Sequence, residues 1–258
     1  MDRRIFLKSS ALGFAALGLG ATRFTEKTHI ITLSFDDGFK GSFYKVANLY
    51  EEHGLSACFN VIASGHFPDF QQVDDWILPE LLGNFDDWNA LKSRGHEVMP
   101  HSWKHLNLAR QPLEEAKEWI VKCLDYFSAN LDGYSNEEAV FNFPFNSSTP
   151  ELEAFTLSKV LAIRSRELAP TASANANLFR KGCRTFGPKN IDNWVKKQVN
   201  QFLNSDGGWL ILNVHGLDNE GWGPMSTSFL KRLLKRLVRI ETLEVLPTGY
   251  VLNRMKKK

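Results

Sequence analysis

The chain is poor in cysteine, carries almost no excess charge, and contains no apolar run long enough to cross a membrane. It has 258 residues and three cysteines, Cys58, Cys123 and Cys183. That is too few for a disulfide framework, and their spacing is not that of a thiolate metal site; Cys58, inside a strand pattern, reads as a core residue. At most one disulfide is open to them. The 31 basic and 29 acidic residues leave a formal charge of +2. Without Arg3, Arg4, Lys8 and Asp2 the balance is 28 against 28, so a chain lacking its first 22 residues offers no electrostatic case for binding nucleic acid. The basic end, Lys256-Lys257-Lys258, reads as a solvated tail. Internal repeats and low-complexity linkers are also missing.

The most apolar stretch, Ala11 to Ala21, is shorter than the roughly 20 residues a membrane span requires. It follows Met1-Asp2-Arg3-Arg4-Ile5-Phe6-Leu7-Lys8, which resembles a twin-arginine export signal. We therefore expect residues 1–22 to be a signal peptide and residues 23–258 the working domain. The expected partner is the twin-arginine export machinery, the destination is periplasmic or extracellular, and no stable membrane span remains after cleavage. No cysteine follows the apolar stretch, so a lipid anchor is not indicated.

What is present is concentrated at strand ends. Strand-like runs recur near 30–35, 57–62, 96–99, 140–143, 160–163, 182–186, 209–214 and 243–246. Helical patterns lie between several of them, at 43–53, 113–130 and 229–240. In the last, Leu230, Leu233, Leu234, Leu237 and Val238 form a stripe opposite Lys231, Arg232, Lys235 and Arg239. Alternating strands and helices predict an α/β fold with a parallel sheet or barrel in one domain.

The first run ends in Phe35-Asp36-Asp37-Gly38, the third is followed by His101-Ser102-Trp103-Lys104-His105, and the seventh ends in Asn213-Val214-His215. Two imidazoles and a carboxylate are the donor set of an open catalytic site for a divalent metal, and the ligand types lean to zinc. The four-residue spacing of His101 and His105 would point both rings the same way on a helical turn. Successive extended residues point to opposite sides, so Asp36 and Asp37 are expected to divide the work.

These segments resemble the motifs of the polysaccharide deacetylases, family 4 carbohydrate esterases with a NodB homology domain. Ser34-Phe35-Asp36-Asp37-Gly38 is similar to the first motif, His101 through His105 to the second, and Leu212-Asn213-Val214-His215 to the last. The resemblance runs from about Thr28 into the C-terminal region. It implies a distorted parallel (β/α) barrel of seven or eight strands and removal of N-acetyl groups from an acetylated carbohydrate. Asp36 would be the general base, His215 the general acid, and Asp37, His101 and His105 the metal ligands. The third motif departs from the family: Phe141-Asn142-Phe143-Pro144-Phe145-Asn146 has Asn142 where Arg is common and Asn146 where Gly is common. Asn142 can hydrogen-bond a carboxylate but brings no charge. The resemblance implies that the Phe145 N–H helps form an oxyanion hole.

The fourth motif is not evident. Arg184 could bring a charge to the site, with Asp192 and Trp194 after it, and Trp222 and Glu220 could line a sugar subsite. The segment between Ile62 and His96 reads as extra material shaping the groove, and His66 within it as a loop residue. Two other functions stay open. The same scaffold could hydrolyse O-acetyl esters or a cyclic amide, or a degenerate site could bind carbohydrate without turnover, as Asn142 and the missing fourth motif would allow.

Overall fold

The computed structural model describes residues 27–71, 74–166 and 179–256. The expected export signal, residues 1–22, lies outside them. The described residues form eight strands: β1 (His29–Phe35), β2 (Cys58–Val61), β3 (Glu97–Pro100), β4 (Val140–Asn142), β5 (Ala162–Arg166), β6 (Arg180–Cys183), β7 (Gly208–Val214) and β8 (Leu243–Val245). Each overlaps an expected run, because β-branched and aromatic side chains fill both faces of a sheet covered on each side.

The ladders between these strands are all parallel. β7 follows β1 along its whole length, from His29↔Gly208 to Phe35↔Val214. The other edge of β1 is shared: β8 pairs with residues 29–31 and β2 with Ser34 and Phe35. β2 continues to β3, while β4, β5 and β6 form a second sheet. A bridge between Arg184 and Leu212 joins the second sheet to β7. There the Arg184 N–H donates to the Ile211 carbonyl and the Asn213 N–H to the Arg184 carbonyl. The result is a distorted seven-strand ring, with no ladder between β3 and β4 and with β8 beside the lower half of β1. This is the expected α/β barrel.

Among the described residues seven α-helices surround it: α1 (Lys40–Glu51), α2 (Phe85–Ser93), α3 (Leu113–Asn130), α4 (Pro150–Leu157), α5 (Asp192–Leu203), α6 (Thr227–Leu237) and α7 (Thr248–Lys256). α2 occupies the segment read as extra material. It begins with a reciprocal capping box, in which Asn84 accepts from the Asp87 N–H and Asp87 from the Asn84 N–H. On α6, Leu230, Leu233, Leu234 and Leu237 are buried as the stripe predicts. Val238 departs from it, 43% exposed where the helix has ended. No helix among the described residues is long and apolar enough to cross a membrane. All three cysteines are buried and no disulfide joins them among the described residues, so the open disulfide is not formed.

This ring puts the C-terminal ends of β1, β3, β4, β5 and β7 around one opening. Every residue expected in the site, apart from Arg184, belongs to one of those ends or the loop that follows it.

Candidate metal centre and cleft

Asp37 is buried in the turn that leaves β1, with a left-handed φ of 79°, followed by Gly38 at 101°. A side chain at Gly38 would be strained by that φ and would press on the Trp88 ring at 3.2 Å. The turn therefore needs glycine. Asp36 and Asp37 part because of this turn, not through the strand alternation expected from sequence. The His pair is likewise not on a helix: residues 101–105 form an irregular loop in which Ser102 (φ 67°) and His105 (φ 54°) are left-handed.

Both rings nevertheless reach Asp37. His101 Nε2 lies 3.4 Å and His105 Nε2 3.3 Å from Asp37 Oδ1. Each ring is oriented from behind. His101 Nδ1 bonds the Asn142 carbonyl at 2.8 Å, and His105 Nδ1 bonds Asp74 at 3.0 Å. Those partners turn both Nε2 atoms toward Asp37, the arrangement common behind metal-bound histidines.

Among the described residues neither oxygen of Asp37 accepts a hydrogen bond, although the residue is 1% exposed. A buried carboxylate without donors is costly. Burial pushes its pKa up, but the imidazoles of His105, His101 and His215 outweigh burial and hold it well below the usual carboxylate range. The three potential donor atoms lie within 4.8 Å of one another. The two Asp–His spacings match the edge of a tetrahedron with bonds of about 2.0–2.1 Å, roughly 3.3 Å. Donor chemistry, burial and spacing therefore fit a divalent cation.

Asp36 is equally buried but fully tethered. Asn60 Nδ2 donates to its Oδ1 at 2.7 Å; Asn213 Nδ2 at 2.6 Å and Arg164 Nη2 at 2.5 Å donate to its Oδ2. Asn142 does not touch Asp36. Its side chain donates to Asn60 Oδ1 at 2.8 Å and so fixes the amide that holds Asp36. Asn146 bonds Asn213 Oδ1 at 3.2 Å and steadies the second amide. Phe145 and Asn146 are successive left-handed residues, φ 58° and 49°. Asn tolerates that conformation better than most residues, which explains its presence where the family often has Gly.

The charge expected from Arg184 comes instead from Arg164, which is 0% exposed on β5. Burial opposes its charge, and Asp36 more than restores it. Arg184 is exposed, with Nη1 on Gln198 at 3.1 Å, and lies outside the cleft that holds Asp36. Its backbone closes the barrel seam, which carries the side chain outward.

The cleft has a volume of about 730 Å³ and is lined by Asp36, His101, His105, Phe145, His215 and Trp222 among others. The Phe145 ring lies against His105 at 4.9 Å, and Trp222 meets His215 edge-on at 5.8 Å. Burial lowers the His215 pKa, against the pull of Asp37 and Asp36. His215 Nδ1 has no hydrogen-bond partner among the described residues. The two acids weighed as cleft residues are structural: Asp192 accepts from the Ser226 N–H and hydroxyl, and Glu220 from those of Ser42. His66 bonds Tyr126 beneath the loop, away from Asp37.

Asn60, Asp74 and Arg164 are the participants that sequence reading missed. The usable signal for Arg164 was an arginine inside a buried strand pattern, since such a charge demands a partner.

The polysaccharide deacetylase family model matches residues 24–156. No curated protein sequence matches. Among solved structures, the chain is similar to the Xyl-CE4 domain of a multidomain xylanase from the hindgut metagenome of Trinervitermes trinervoides. That match has 14% identity and a TM-score of 0.55, covering 90% of this chain and 92% of that one. The peptidoglycan deacetylase PdaC from Bacillus subtilis matches at 18% identity and TM-score 0.56, over 89% and 92%. BA3943 from Bacillus anthracis, described as a CE4 family pseudoenzyme, matches at 12% identity and 0.56, over 89% and 66%. At these identities the structural likeness speaks for the fold.

Proposed function

The chain belongs to the polysaccharide deacetylase family, and from that premise we propose that it is a metal-dependent hydrolase removing N-acetyl groups from a carbohydrate. The observation that carries this reading is the buried Asp37 carboxylate, which accepts no hydrogen bond among the described residues and faces two back-oriented imidazoles beside the tethered Asp36.

Asp37, His101 and His105 would hold the ion, with zinc favoured by donor type. When bound, such an ion would polarise the acetyl carbonyl and lower the pKa of a water molecule. Asp36 acts as general base. Arg164 and the two asparagines fix its plane, and Oδ1, which accepts only from Asn60, keeps capacity for a proton. The left-handed turn at Phe145 presents its N–H for the developing oxyanion, with Asn142 holding the base of that loop. His215 acts as general acid for the departing amine. Burial lowers its pKa, so the ring is mainly neutral near pH 7 and is a stronger acid once it has taken up a proton. Trp222 steers that ring and offers an apolar face to a sugar.

The export reading completes the proposal: residues 1–22 direct the folded chain out of the cytoplasm, and 23–258 form the catalytic domain. The direct test is the divalent-metal content of purified protein together with acetate release from acetylated amino-sugar oligomers. Asp37→Ala and His101→Ala should lose both, whereas Asp36→Asn should keep the metal and lose turnover. Protein that retains no divalent metal, and whose activity survives these changes, would sink the reading. Acetylated xylan and small ureides in the same assay separate ester and cyclic-amide hydrolysis from deacetylation. The binding-only reading is motivated by Asn142 and the missing fourth motif. Arg164 removes the first motive by supplying the charge beside Asp36, and turnover unaffected by Asp36→Asn with glycan binding retained would favour that reading.

A further inference from the structure

Two guanidinium groups in the cleft have no part in the chemistry above. Arg166 ends β5 two residues after Arg164, and alternation along a strand puts both on one face. Arg164, at depth, is engaged by Asp36. Arg166, one step nearer the mouth, is exposed and lines the cleft. Its backbone is fixed by pairing with Cys183 and by Arg180 Nη1, which donates to its carbonyl. Arg110 closes the 3₁₀ turn Leu108–Arg110 and lines the same cleft from the His105 side.

The carboxylates lining this cleft are already matched, Asp36 by Arg164 and Asp74 by His105. Among the described residues neither Arg110 nor Arg166 forms an ion pair. Among the described residues the cleft wall thus carries two arginines without a carboxylate partner, in a domain whose overall charge is nearly balanced. A neutral acetylated glycan offers them hydroxyl and carbonyl acceptors but no compensating charge, whereas a guanidinium fork is shaped for carboxylate and related oxyanions.

We propose that the cleft selects N-acetylated sugars carrying an anionic substituent, carboxylate or sulfate, which Arg110 and Arg166 bind beside the acetamide site. This rests on the deacetylase reading for the acetamide, and on the two arginines for the anion.

The test titrates purified protein calorimetrically with three tetrasaccharides: chitotetraose as the neutral probe, a hyaluronan tetrasaccharide for carboxylate, and 6-O-sulfated chitotetraose for sulfate. Acetate release is measured in parallel. At least one anionic probe should bind roughly tenfold tighter than the neutral one, with the preference shrinking at high salt. Which anionic probe gains identifies the substituent. Arg110→Gln and Arg166→Gln should each remove part of the preference and together bring it near one. Arg232→Gln, an exposed charge removed from α6, should keep it. Equal or tighter binding of the neutral probe, or a preference that survives the double change in folded protein, overturns the proposal. A binding preference without acetate release from any probe would sink the deacetylase reading and leave anion selection standing. Release from the neutral probe with no anionic preference would do the reverse.

Discussion

Replacing Arg164 by Met should damage both stability and turnover, by amounts the geometry sets. The guanidinium is fully buried, Asp36 is 2% exposed, and their atoms are 2.5 Å apart. Removing one partner of a buried ion pair costs about 3–5 kcal/mol, because the other charge is stranded. Two features push this case to the lower end. Asp36 keeps its bonds from Asn60 and Asn213, and Arg164 Nε and Nη1 have no partner, so the wild-type residue already bears a desolvation cost. A loss of about 3 kcal/mol lowers Tm by roughly 6–12 °C in a domain of this size. A positioned base contributes about 10²–10⁴ in rate, and Asp36 would keep its amides while losing its charged tether. We expect kcat to fall about a hundredfold, with KM changed far less.

Thermal unfolding and acetate release on Arg164→Met, Asp36→Asn and the double variant form the assay. If the pair is real, the double variant regains stability relative to the sum of the singles, by at least about 1.5 kcal/mol. Arg164→Lys should fall between wild type and Met, since Nη2 alone reaches Asp36. Additive stabilities with kcat inside twofold of wild type would refute the idea that Arg164 serves as the tether.

Chelation should lower Tm and addition of zinc should restore it. At an ion concentration about 100 times Kd the gain is about 2.7 kcal/mol, and a Tm indifferent to both treatments would contradict the Asp37 site. Asn142→Ala strands the Asn60 carbonyl and should cost about 1–3 kcal/mol by denaturant titration, with a smaller fall in kcat than Arg164→Met. Glu97, on β3, has its carboxyl raised by burial from 4.5 to about 7, despite the Cys58 thiol and the α7 N–H of Gly249 that favour its charge. The folded state then holds a proton that the unfolded chain releases. Stability should fall as pH rises from about 4.5 to about 7, by on the order of 1 kcal/mol given partial exposure, and Glu97→Gln should flatten that slope in pH-dependent melts. Changing Arg3 and Arg4 together to Lys should leave unprocessed precursor in the cytoplasm, and a mature N-terminus near residue 22 in that variant, by mass spectrometry, would contradict twin-arginine export.

The strands were legible because parallel strands covered on both faces are written as short apolar, β-branched runs, and their order dictates the barrel. Asp36, Asp37, His101, His105 and His215 were legible because each closes or follows such a run. The loop that brings His101 and His105 together was not, since spacing alone cannot distinguish a helical turn from a path through two left-handed residues. α2, α4 and α7 were passed over for a related reason. They are only eight or nine residues long, so capping and packing decide them. α5, at 12 residues, has a legible apolar stripe in Trp194, Val195, Val199, Phe202 and Leu203 that the sequence reading did not use.

Arg164 was hidden for a more instructive reason. Asn142, where the family commonly places its arginine, is the register partner of Arg164 across the parallel ladder from β4 to β5. The charge has moved sideways by one strand at the same height. Strand spacing of about 4.8 Å is well within the reach of an arginine side chain, so the guanidinium still arrives at Asp36, while the vacated position on β4 carries an amide that steadies Asn60. In sequence the two positions are 22 residues apart, and only the register makes them alternatives. If this equivalence holds, the double change Asn142→Arg with Arg164→Ala should recover more turnover than Arg164→Ala alone. The arginine would then approach Asp36 from β4, and failure of that rescue in a folded variant would mean that the Asn60 relay cannot be given up.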